Sequence, residues 1–548
     1  MIMKKFKLVV ASTAAVAMLM ASMSGCSTTK KPVETQPEKT SAPEKRGKIT
    51  VSVYDRGSCD PKEGTMADNR WTKWINENGP VDVTYIPVPR WESTKQWPVL
   101  FAAGTAPDLI LEYDNNSRNS LYLQKQLMPL DDLIAKSSNE YKKLTEKYPD
   151  MLKIGKKPDG KIYDFARAGS LREGKPIAIR KDWLDKLNLQ VPKTVEDFYT
   201  VIKSFAKNDP DGNGKDDTFG YNLSGPGQFL ISAMLGMGTT GADWFQPWSV
   251  ENSKLTFSWD KIRDYVEFQK KLFDEGLVDR DFLVDKNGDK ATQDWINGKL
   301  GIQYTNKGPT DAGVLKPFMA NNPNAEFIFM QPPKSKYGQF SVDMDGGASA
   351  WGAINAACKD PVSVMKYVDF MNSEKAATYL KLGPEGKYFT KNPQGEYKIT
   401  DANVKKLEYD YNPDITMIIS PLLTDSIIFA AGDDAFAKEQ RRLNELKAKT
   451  YRVKGTQGVD NIANLPALSE ELNVAKTDAT KLCIDIISQT IVGGPSKSVD
   501  KCMEDLKSTW KKSGGEKILE YYTKWYEENK NNAMTNKEKY AYPYAVNP

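Results

Sequence analysis

Residues 181–220 decide the fold prediction and read KDWLDKLNLQVPKTVEDFYTVIKSFAKNDPDGNGKDDTFG. Asp182, which stands just before an apolar pair, predicts a first helix capped by an aspartate. Thr194, with Asp197 three residues later, matches the capping box of a second helix. Apolar residues then recur every three or four positions, so one face of the second helix is expected to pack inward.

The segment after the second helix has the spacing of a calcium-binding loop. The expected ligands are Asp209, Asp211, Asn213, the backbone carbonyl of Lys215, and Asp217. Position twelve of the loop is Gly220, so the bidentate glutamate of an EF-hand is missing, and the site is either completed by another segment or weak. A solvated Asp/Gly turn is the alternative, and spacing alone favours neither. Bound Ca²⁺ would have a structural rather than a catalytic role.

The runs KDWLDKLNL, PKTVEDFY and DPDGNGKDDTFG resemble the extracellular solute-binding proteins of family 1, specifically LipO-like lipoproteins that serve carbohydrate ABC importers. The resemblance implies an α/β protein with the two-lobe, type II periplasmic-binding-protein-like fold. In this fold a hinge links the lobes, and each lobe is a mostly parallel sheet flanked by helices. The calcium loop would belong to the second lobe, as in related alginate-binding proteins, which carry a similar loop.

The length of 548 residues also favours two lobes over one core. We expect a lipoprotein signal peptide over residues 1–25 and a disordered tether over residues 26–47. The N-terminal lobe is expected to comprise residues 48–168 and 350–440, and the C-terminal lobe residues 169–349 and 441–548.

The N-terminus carries lysines followed by an apolar stretch and then Met23-Ser24-Gly25-Cys26. These residues resemble a lipobox, although Met23 is unusual at its first position. The resemblance implies that Cys26 is diacylated and anchors the protein to the extracellular face of the cell membrane. Secretory cleavage without lipidation is the alternative. No later stretch approaches the roughly 18 apolar residues of a membrane span.

Composition excludes several classes of function. Lys and Arg total 76 against 72 Asp and Glu, and this near balance gives no support for nucleic-acid binding. Histidine is absent, so neither a histidine-dependent catalytic triad nor a histidine-ligated zinc centre is possible. The cysteines after Cys26 allow three disulfide pairings, of which Cys483 with Cys502 is the most local, and free buried thiols are the alternative.

Residues 48–112 alternate strands and helices in the order βαβαβ, which predicts a parallel sheet. Ligands of such sheets gather at the carboxyl ends of the strands. The candidates at these ends are Asp55, Arg56, Tyr113, Asp114 and Asn115. Each could instead belong to a solvated loop.

Further candidates come from segments that resemble family features. Residues 160–180 resemble a first hinge crossing and 343–357 a second, which contribute Arg172, Asp345 and Trp351. Trp244 lies in a Gly-rich loop and is a candidate for stacking on a sugar ring, with packing inside the lobe as the alternative. Tyr304 and Asn306 are expected to point toward the ligand from a strand that starts at Leu300.

The sequence is compatible with two functions. The resemblance implies a monomeric, lipid-anchored receptor that binds a sugar or oligosaccharide by hinge closure and delivers it to ABC transporter permease subunits. A secreted, calcium-containing glycoside hydrolase or lyase that uses carboxylates such as Asp114 and Asp345 is the alternative. No spacing marks an acid and nucleophile pair, and a structural cell-wall lipoprotein would show repeats that the sequence lacks.

Overall fold

A computed structural model describes residues 46–173, 175–237, 248–341, 344–393, 395–424, 434–451 and 464–535, together with 427 and 462. At positions 170–173, 344–347, 402–403 and 405–406 only the backbone is described. No helix within these ranges has the length and apolar character needed to cross a bilayer.

The strands are β1 (Gly47–Asp55), β2 (Val81–Pro89), β3 (Leu109–Leu111), β4 (Asp164–Glu173), β5 (Ile177–Arg180), β6 (Phe219–Tyr221), β7 (Trp248–Glu251), β8 (Lys254–Phe257), β9 (Leu300–Gln303), β10 (Phe327–Met330), β11 (Met344–Ile354), β12 (Phe389–Lys391) and β13 (Tyr397–Ile399). They form a first sheet, in the order β2-β1-β3-β11-β4, and a second sheet, in the order β10-β5-β9-β6. Strands β7 with β8 and β12 with β13 form two small antiparallel pairs.

The helices up to the second sheet's last strand are α1 (Arg70–Asn78), α2 (Ser93–Ala102), α3 (Asn115–Leu123), α4 (Asp131–Ser137), α5 (Glu140–Lys147), α6 (Asp150–Gly155), α7 (Lys181–Lys186), α8 (Val195–Lys207), α9 (Gly225–Met234), α10 (Trp259–Asp274), α11 (Asp289–Ile296) and α12 (Ala312–Asn321). The later helices are α13 (Pro361–Met371), α14 (Glu374–Leu382), α15 (Ala402–Tyr409), α16 (Asn412–Ile415), α17 (Ala435–Tyr451), α18 (Glu470–Val492), α19 (Val499–Lys512) and α20 (Gly515–Glu528).

Each sheet contains one strand that runs against the others. β1 is parallel to β2 and β3, whereas β11 is antiparallel to both β3 and β4. In the second sheet β6 and β9 are parallel, and β5 is antiparallel to β9 and β10. The predicted α/β fold with two mostly parallel sheets is therefore confirmed. We call the first sheet with its helices the first lobe, and the second sheet with its helices the second lobe.

Two extended strands link the lobes. β4 leaves the first sheet and leads directly to β5 of the second, while β11 returns the chain from β10 to the first sheet. The two connecting strands pair with each other from Met344 opposite Glu173 to Ala353 opposite Asp164. Both predicted crossings are thus strands of one antiparallel ladder, although the exact lobe boundaries stay a prediction.

Local sequence signals explain one of the two helix starts in residues 181–220. Thr194 accepts a hydrogen bond from the Asp197 N–H, and Asp197 in return accepts from the Thr194 N–H, so the capping box of α8 is confirmed. The predicted cap of α7 is wrong by two residues, because α7 begins at Lys181 with Arg180 as its N-cap. The Asp182 carboxylate instead accepts two hydrogen bonds from the Arg180 guanidinium.

One apolar core runs through both lobes and includes Val51 and Leu109 of the first sheet and Ile179 and Ile302 of the second. The C-terminal helices extend the second lobe, where α18 packs against α10 and α19, and α20 packs against β8. The described cysteines are all free thiols, so the Cys483–Cys502 disulfide is not formed and the alternative of free thiols describes the structure.

Candidate functional site

The candidate site lies at the carboxyl ends of the three parallel strands of the first sheet. Arg56 directly follows β1, Arg90 directly follows β2, and Tyr113 comes two residues after β3. A short 3-10 turn over Arg90–Glu92 places Trp91 beside them, and the Trp91 side chain is 79% exposed. Because parallel strands end at one edge of the sheet, these four side chains converge there.

Tyr113 is at the centre of this group. Its ring stacks on Tyr54 with the ring centroids 5.2 Å apart, and meets the indole of Trp351 edge-on at 4.5 Å. The guanidinium carbons of Arg56 and Arg90 lie 5.8 and 5.1 Å from the centroid of the Tyr113 ring. Both distances are within the range of cation–π attraction, so the arginines are held against the aromatic rings.

Trp351 and Arg167 come from the two connecting strands. The β4–β11 ladder changes register between Ala350 and Gly352, so Trp351 is the extra residue of a β-bulge, a feature that redirects side chains. The guanidinium carbon of Arg167 lies 3.5 Å from the centroid of the Trp351 ring, and its Nη1 donates a 2.9 Å hydrogen bond to the Met417 carbonyl.

A carboxylate from a distant part of the sequence completes the group. Asp414 on α16 is buried and accepts two hydrogen bonds from Nε of Arg56, at 2.8 and 3.0 Å. Burial raises the pKa of Asp414, while the Arg56 guanidinium opposes that shift. We call the following residues the strand-end cluster: Arg56, Arg90, Trp91, Tyr113, Arg167, Trp351 and Asp414.

A buried glutamate holds the strand-end cluster from beneath. Glu112 is fully buried and accepts hydrogen bonds from the Tyr54 hydroxyl, from Nε1 of Trp97 at 2.6 Å and from the Asp114 N–H at 2.7 Å. Burial, reinforced by the Glu112 charge, raises the pKa of Tyr54 far above its usual value, so Tyr54 stays a hydrogen-bond donor. These bonds fix the ring on which Tyr113 stacks.

Two cavities meet at Tyr113. One, of about 220 Å³, lies between Tyr113, Arg167 and the segment 412–424. The other, of about 380 Å³, continues from Tyr113 along Asn115 to residues 348–350 of β11. We call these the smaller and the larger cavity, and the volume of the larger one is within the range of sites that bind small ligands.

The far wall of the larger cavity is built from C-terminal residues. These residues are 464–467, Trp525, Asn529 and Asn532. The Asn464 side chain is used internally, since its amide donates to the Asn532 carbonyl and its oxygen accepts from the Met534 N–H. Trp525 is partly exposed and faces the first lobe across the cavity. A ligand in this cavity would contact residues of both lobes.

The structure brings together some of the residues predicted from sequence. Arg56, Tyr113 and Trp351 belong to the strand-end cluster, and Asn115 lines the larger cavity. Asp55 is exposed, and its carboxylate accepts a hydrogen bond from the Gly57 N–H.

Three other predicted residues have local roles. Asp114 caps α3, since its carboxylate accepts from the Asn116 and Ser117 N–H groups. Asn306 donates to the Asn287 carbonyl at the surface. The expectation that Tyr304 faces the ligand conflicts with its burial, because its side chain is 1% exposed inside the second lobe.

Three predicted residues, Trp244, Arg172 and Asp345, have side chains outside the described part of the chain. Trp244 lies outside the described residues. Asp345 and Arg172 are opposite each other in the β4–β11 ladder, but their side chains also lie outside the described part of the chain.

Sequence reasoning missed Arg90, Trp91, Arg167 and Asp414. The run PVPRW at the end of the second predicted strand carries the same signal that found Arg56, so Arg90 and Trp91 could have been found. Arg167 lies in the same predicted crossing as Arg172, on the preceding part of the strand. Asp414 is 358 residues from its partner Arg56, and no local pattern connects the two.

The predicted calcium loop brings its oxygen-bearing side chains together on the second lobe. The Asn213 amide donates to Asp211 at 2.8 Å and to Asp217 at 3.0 Å, and the Asp209 carboxylate accepts from the Asn213 and Gly214 N–H groups. Burial and the neighbouring Asp209 raise the pKa of Asp211. Within the described ranges no three His, Cys, Asp or Glu side chains are grouped in the geometry of a bound metal.

Comparison with known proteins identifies relatives that align with most of this chain. The chain is 26% identical to the lipoprotein LipO of Bacillus subtilis over 413 residues, which cover 71% of this chain and 76% of LipO. It is also 26% identical to the polygalacturonan/rhamnogalacturonan-binding protein YtcQ of the same organism over 463 residues, or 81% of this chain and 85% of YtcQ.

A solved structure of a Streptococcus pneumoniae protein has the same fold. It is the ABC-transporter substrate-binding protein FusA, as an EF-hand mutant in complex with fructo-nystose, and it is 20% identical with a TM-score of 0.62, covering 88% of this chain and all of FusA. The family model described as "Bacterial extracellular solute-binding protein" matches residues 66–378, which is more than half of the 548 residues. The protein therefore belongs to the bacterial extracellular solute-binding proteins.

Proposed function

We propose that the protein captures a sugar or oligosaccharide between its two lobes and delivers it to the permease subunits of an ABC transporter. The observation that carries this proposal is the strand-end cluster, in which the exposed Trp91 and the rings of Tyr113 and Trp351 surround polar groups. Sugar rings present C–H faces that stack on aromatic rings and hydroxyl rims that need planar polar partners. The strand-end cluster offers both kinds of surface.

The family consists of binding proteins that work with transporters, and its members are not enzymes. The alternative of a glycoside hydrolase or lyase therefore loses its support. Asp114, one of its two carboxylates, is occupied as a helix cap. The strand-end cluster instead has the features of a site that holds a ligand without changing it.

Closure of the lobes supplies the mechanism. The larger cavity is lined by Asn115 of the first lobe and by Trp525 of the second, so a ligand there gains contacts from both. A ligand that binds the closed form more tightly shifts the population toward that form by its difference in affinity. The permease would then distinguish loaded from empty protein by the closed lobes.

Calcium binding at the loop of residues 209–217 is part of the proposal. The side chains of Asp209, Asp211, Asn213 and Asp217 converge there. The Asn213 amide donates to carboxylate oxygens of Asp211 and Asp217, and a cation in its place would bind the same two oxygens. Oxygen donors at this spacing suit Ca²⁺. Gly212 and Gly214 have positive φ values of 74° and 75°, which allow the tight curl. The solved relative FusA is described with an EF-hand. The ion would stabilise the second lobe.

Membrane attachment through Cys26 completes the proposal. The lipobox-like residues before Cys26 and the Pro-, Lys- and Glu-rich composition of the residues that follow suit a diacylated cysteine followed by a tether. The relative LipO is named a lipoprotein. The binding protein, a monomer in this proposal, would be held at the extracellular face of the membrane, close to its transporter.

The test is a titration of the purified protein, without its signal peptide, with a panel of neutral and acidic oligosaccharides. We expect at least one to change the intrinsic tryptophan fluorescence, to leave the protein chemically unchanged, and to reduce the radius of gyration in small-angle scattering. Absence of binding across the panel would contradict carbohydrate capture. Cleavage of the bound oligosaccharide would restore the enzyme alternative.

A further inference from the structure

Arg167 is a partly buried cation without an anionic partner. Its guanidinium lines the smaller cavity, with Trp351 covering its face and with one hydrogen bond, from Nη1 to the Met417 carbonyl. A guanidinium carries five N–H donors, so most of its donors have no partner among the described residues. Burial lowers the pKa of Arg167 to about 10, which reflects the cost of its charge in this position.

Arg90 is in a similar state. It has no hydrogen bond or ion pair with any described residue, and its Nε is buried without a partner. Its guanidinium carbon lies 4.8 Å from the centroid of the Tyr54 ring and 5.5 Å from that of Trp91. A buried donor without a partner is costly, so such a group in a native site calls for a ligand atom or another explanation.

The carboxylates of the region are bound to groups other than Arg90 and Arg167. Glu112, which is buried beneath the strand-end cluster, accepts hydrogen bonds from Tyr54, Trp97 and the Asp114 N–H. Asp414 is engaged by Arg56, and Asp55 accepts from the Gly57 N–H. None of these three carboxylates forms an ion pair with Arg90 or Arg167 among the residues that the structure describes, although the charge of Arg90 helps to lower the pKa of Asp414. The strand-end cluster therefore presents two guanidiniums without carboxylate partners next to three aromatic rings.

The larger cavity continues this positive surface. Arg118 and Lys157, both buried, share the single carboxylate of Asp164, at 3.3 and 2.6 Å. Lys156 in the same wall is exposed and has no ion pair with a described residue. Cationic side chains therefore lie on both sides of Tyr113. Arg90 is against its ring, and Lys156 lines the larger cavity, which residues of both lobes enclose.

We propose that the ligand is an acidic oligosaccharide, built from uronate sugars, whose carboxylates bind Arg167 and Arg90 while its rings stack on Trp91, Tyr113 and Trp351. This inference rests on the proposed function and narrows it to one class of sugar. Guanidinium and carboxylate form paired, charge-assisted hydrogen bonds, which are among the strongest in proteins. The aromatic rings supply the apolar surface that a uronate shares with a neutral sugar.

The test uses pairs of ligands that differ only in charge. Trimers of galacturonate, mannuronate and guluronate are titrated by calorimetry beside their methyl esters, with neutral kestose and maltotriose for comparison. We expect at least one acidic trimer to bind ten times or more tighter than its ester, and its affinity to fall as salt rises from 50 to 500 mM.

Failure of this inference is distinct from failure of the proposed function. Binding of the neutral sugars and esters, with no acidic trimer preferred, would overturn the acidic class and leave carbohydrate capture intact. Binding of no member of the panel would overturn both.

Variants of Arg167 and Arg90 test whether these two arginines bind the carboxylates of the acidic trimer. Arg167→Gln and Arg90→Gln are each expected to weaken the acidic trimer about tenfold to a hundredfold and the ester less than threefold. Arg442→Gln is the matched control, since Arg442 pairs with Glu439 on α17, outside the strand-end cluster. Arg167→Lys, which keeps the charge, should retain a preference for the acid over the ester. Equal weakening of acid and ester by Arg167→Gln would show that Arg167 only supports Trp351, and would overturn the proposal.

Discussion

The side chains at the carboxyl ends of the parallel strands differ between the two sheets, because those of the first sheet are charged and aromatic and those of the second are buried and polar. In the first sheet the strands end in Arg56, Arg90 and Tyr113, where both guanidiniums lie against the Tyr113 ring and Tyr113 lines a cavity. In the second sheet the parallel strands β6 and β9 end in polar residues that satisfy one another. Ligands of parallel sheets bind at the carboxyl ends of the strands. How much surface a ligand could contact there depends on how deeply the side chains at those ends are buried.

The second sheet shows how a strand end becomes closed. The Asn222 amide donates to the Ser224 hydroxyl at 2.7 Å and to the Tyr304 carbonyl at 3.3 Å, and its oxygen accepts from the Tyr304 N–H. The Gln303 amide donates to the Thr305 hydroxyl at 3.0 Å. All of these side chains are buried, so this strand end stabilises the lobe and has little surface for a ligand.

The largest expected effect tests the structural role of the second strand end. Asn222→Ala removes the side-chain amide that hydrogen-bonds to both the carbonyl and the N–H of Tyr304. We expect this variant to lower the free energy of unfolding by about 2–4 kcal/mol. Affinity for the ligand should stay within threefold. Denaturant unfolding and calorimetry measure the two quantities.

The matched control for this change is Asn306→Ala. Asn306 is exposed in the same lobe, so its loss should alter the free energy of unfolding by no more than about 0.5 kcal/mol. A strong loss of ligand affinity in either variant would break the contrast between the two strand ends.

The next effect tests the first strand end. Trp91→Ala should weaken the bound oligosaccharide about tenfold, because an exposed indole that stacks on a sugar ring is lost. Its melting temperature should be unchanged, since the side chain is 79% exposed. Trp74→Ala is the control, because Trp74 stacks on Tyr379 away from the strand-end cluster, and it should leave affinity unchanged. Equal affinity of Trp91→Ala and wild type would remove Trp91 from the site.

The last prediction concerns the calcium loop, whose effect is of the same order as that of Trp91→Ala. In the wild type, Ca²⁺ at ten times its dissociation constant should add about 1.4 kcal/mol to the free energy of unfolding. The double variant Asp211→Ala with Asn213→Ala should lose this response, while Asp216→Ala, an exposed neighbour, should keep it. Ligand affinity should be unaltered in both. A calcium response that survives in the double variant would refute the metal site.

Much of the fold could be predicted because its signals are local. The capping box at Thr194 and the alternation of strands and helices up to Leu111 depend on neighbouring residues, and both are confirmed. The site was predictable only in part. The strand-end rule found Arg56 and Tyr113, whereas Asp414 joins them through a contact across 358 positions that no local pattern encodes.

Tyr304 is a residue that the strand-end rule selects although the structure buries it. Its position after a strand of the second sheet looks the same in sequence as that of Tyr113 in the first, and its burial depends on how Asn222 and the rest of the lobe pack around it. Sequence spacing gives the position of a side chain along a strand, while its exposure is a property of the assembled lobe.

A crystal structure of the protein with its tightest-binding oligosaccharide tests the central claim most directly. We predict sugar rings stacked on Trp91 and Tyr113 at the strand ends of the first sheet, with Trp525 of the second lobe closing on the same ligand. A ligand seated at the strand ends of the second sheet, beside Asn222 and Tyr304, or bound outside the space between the lobes, would contradict it.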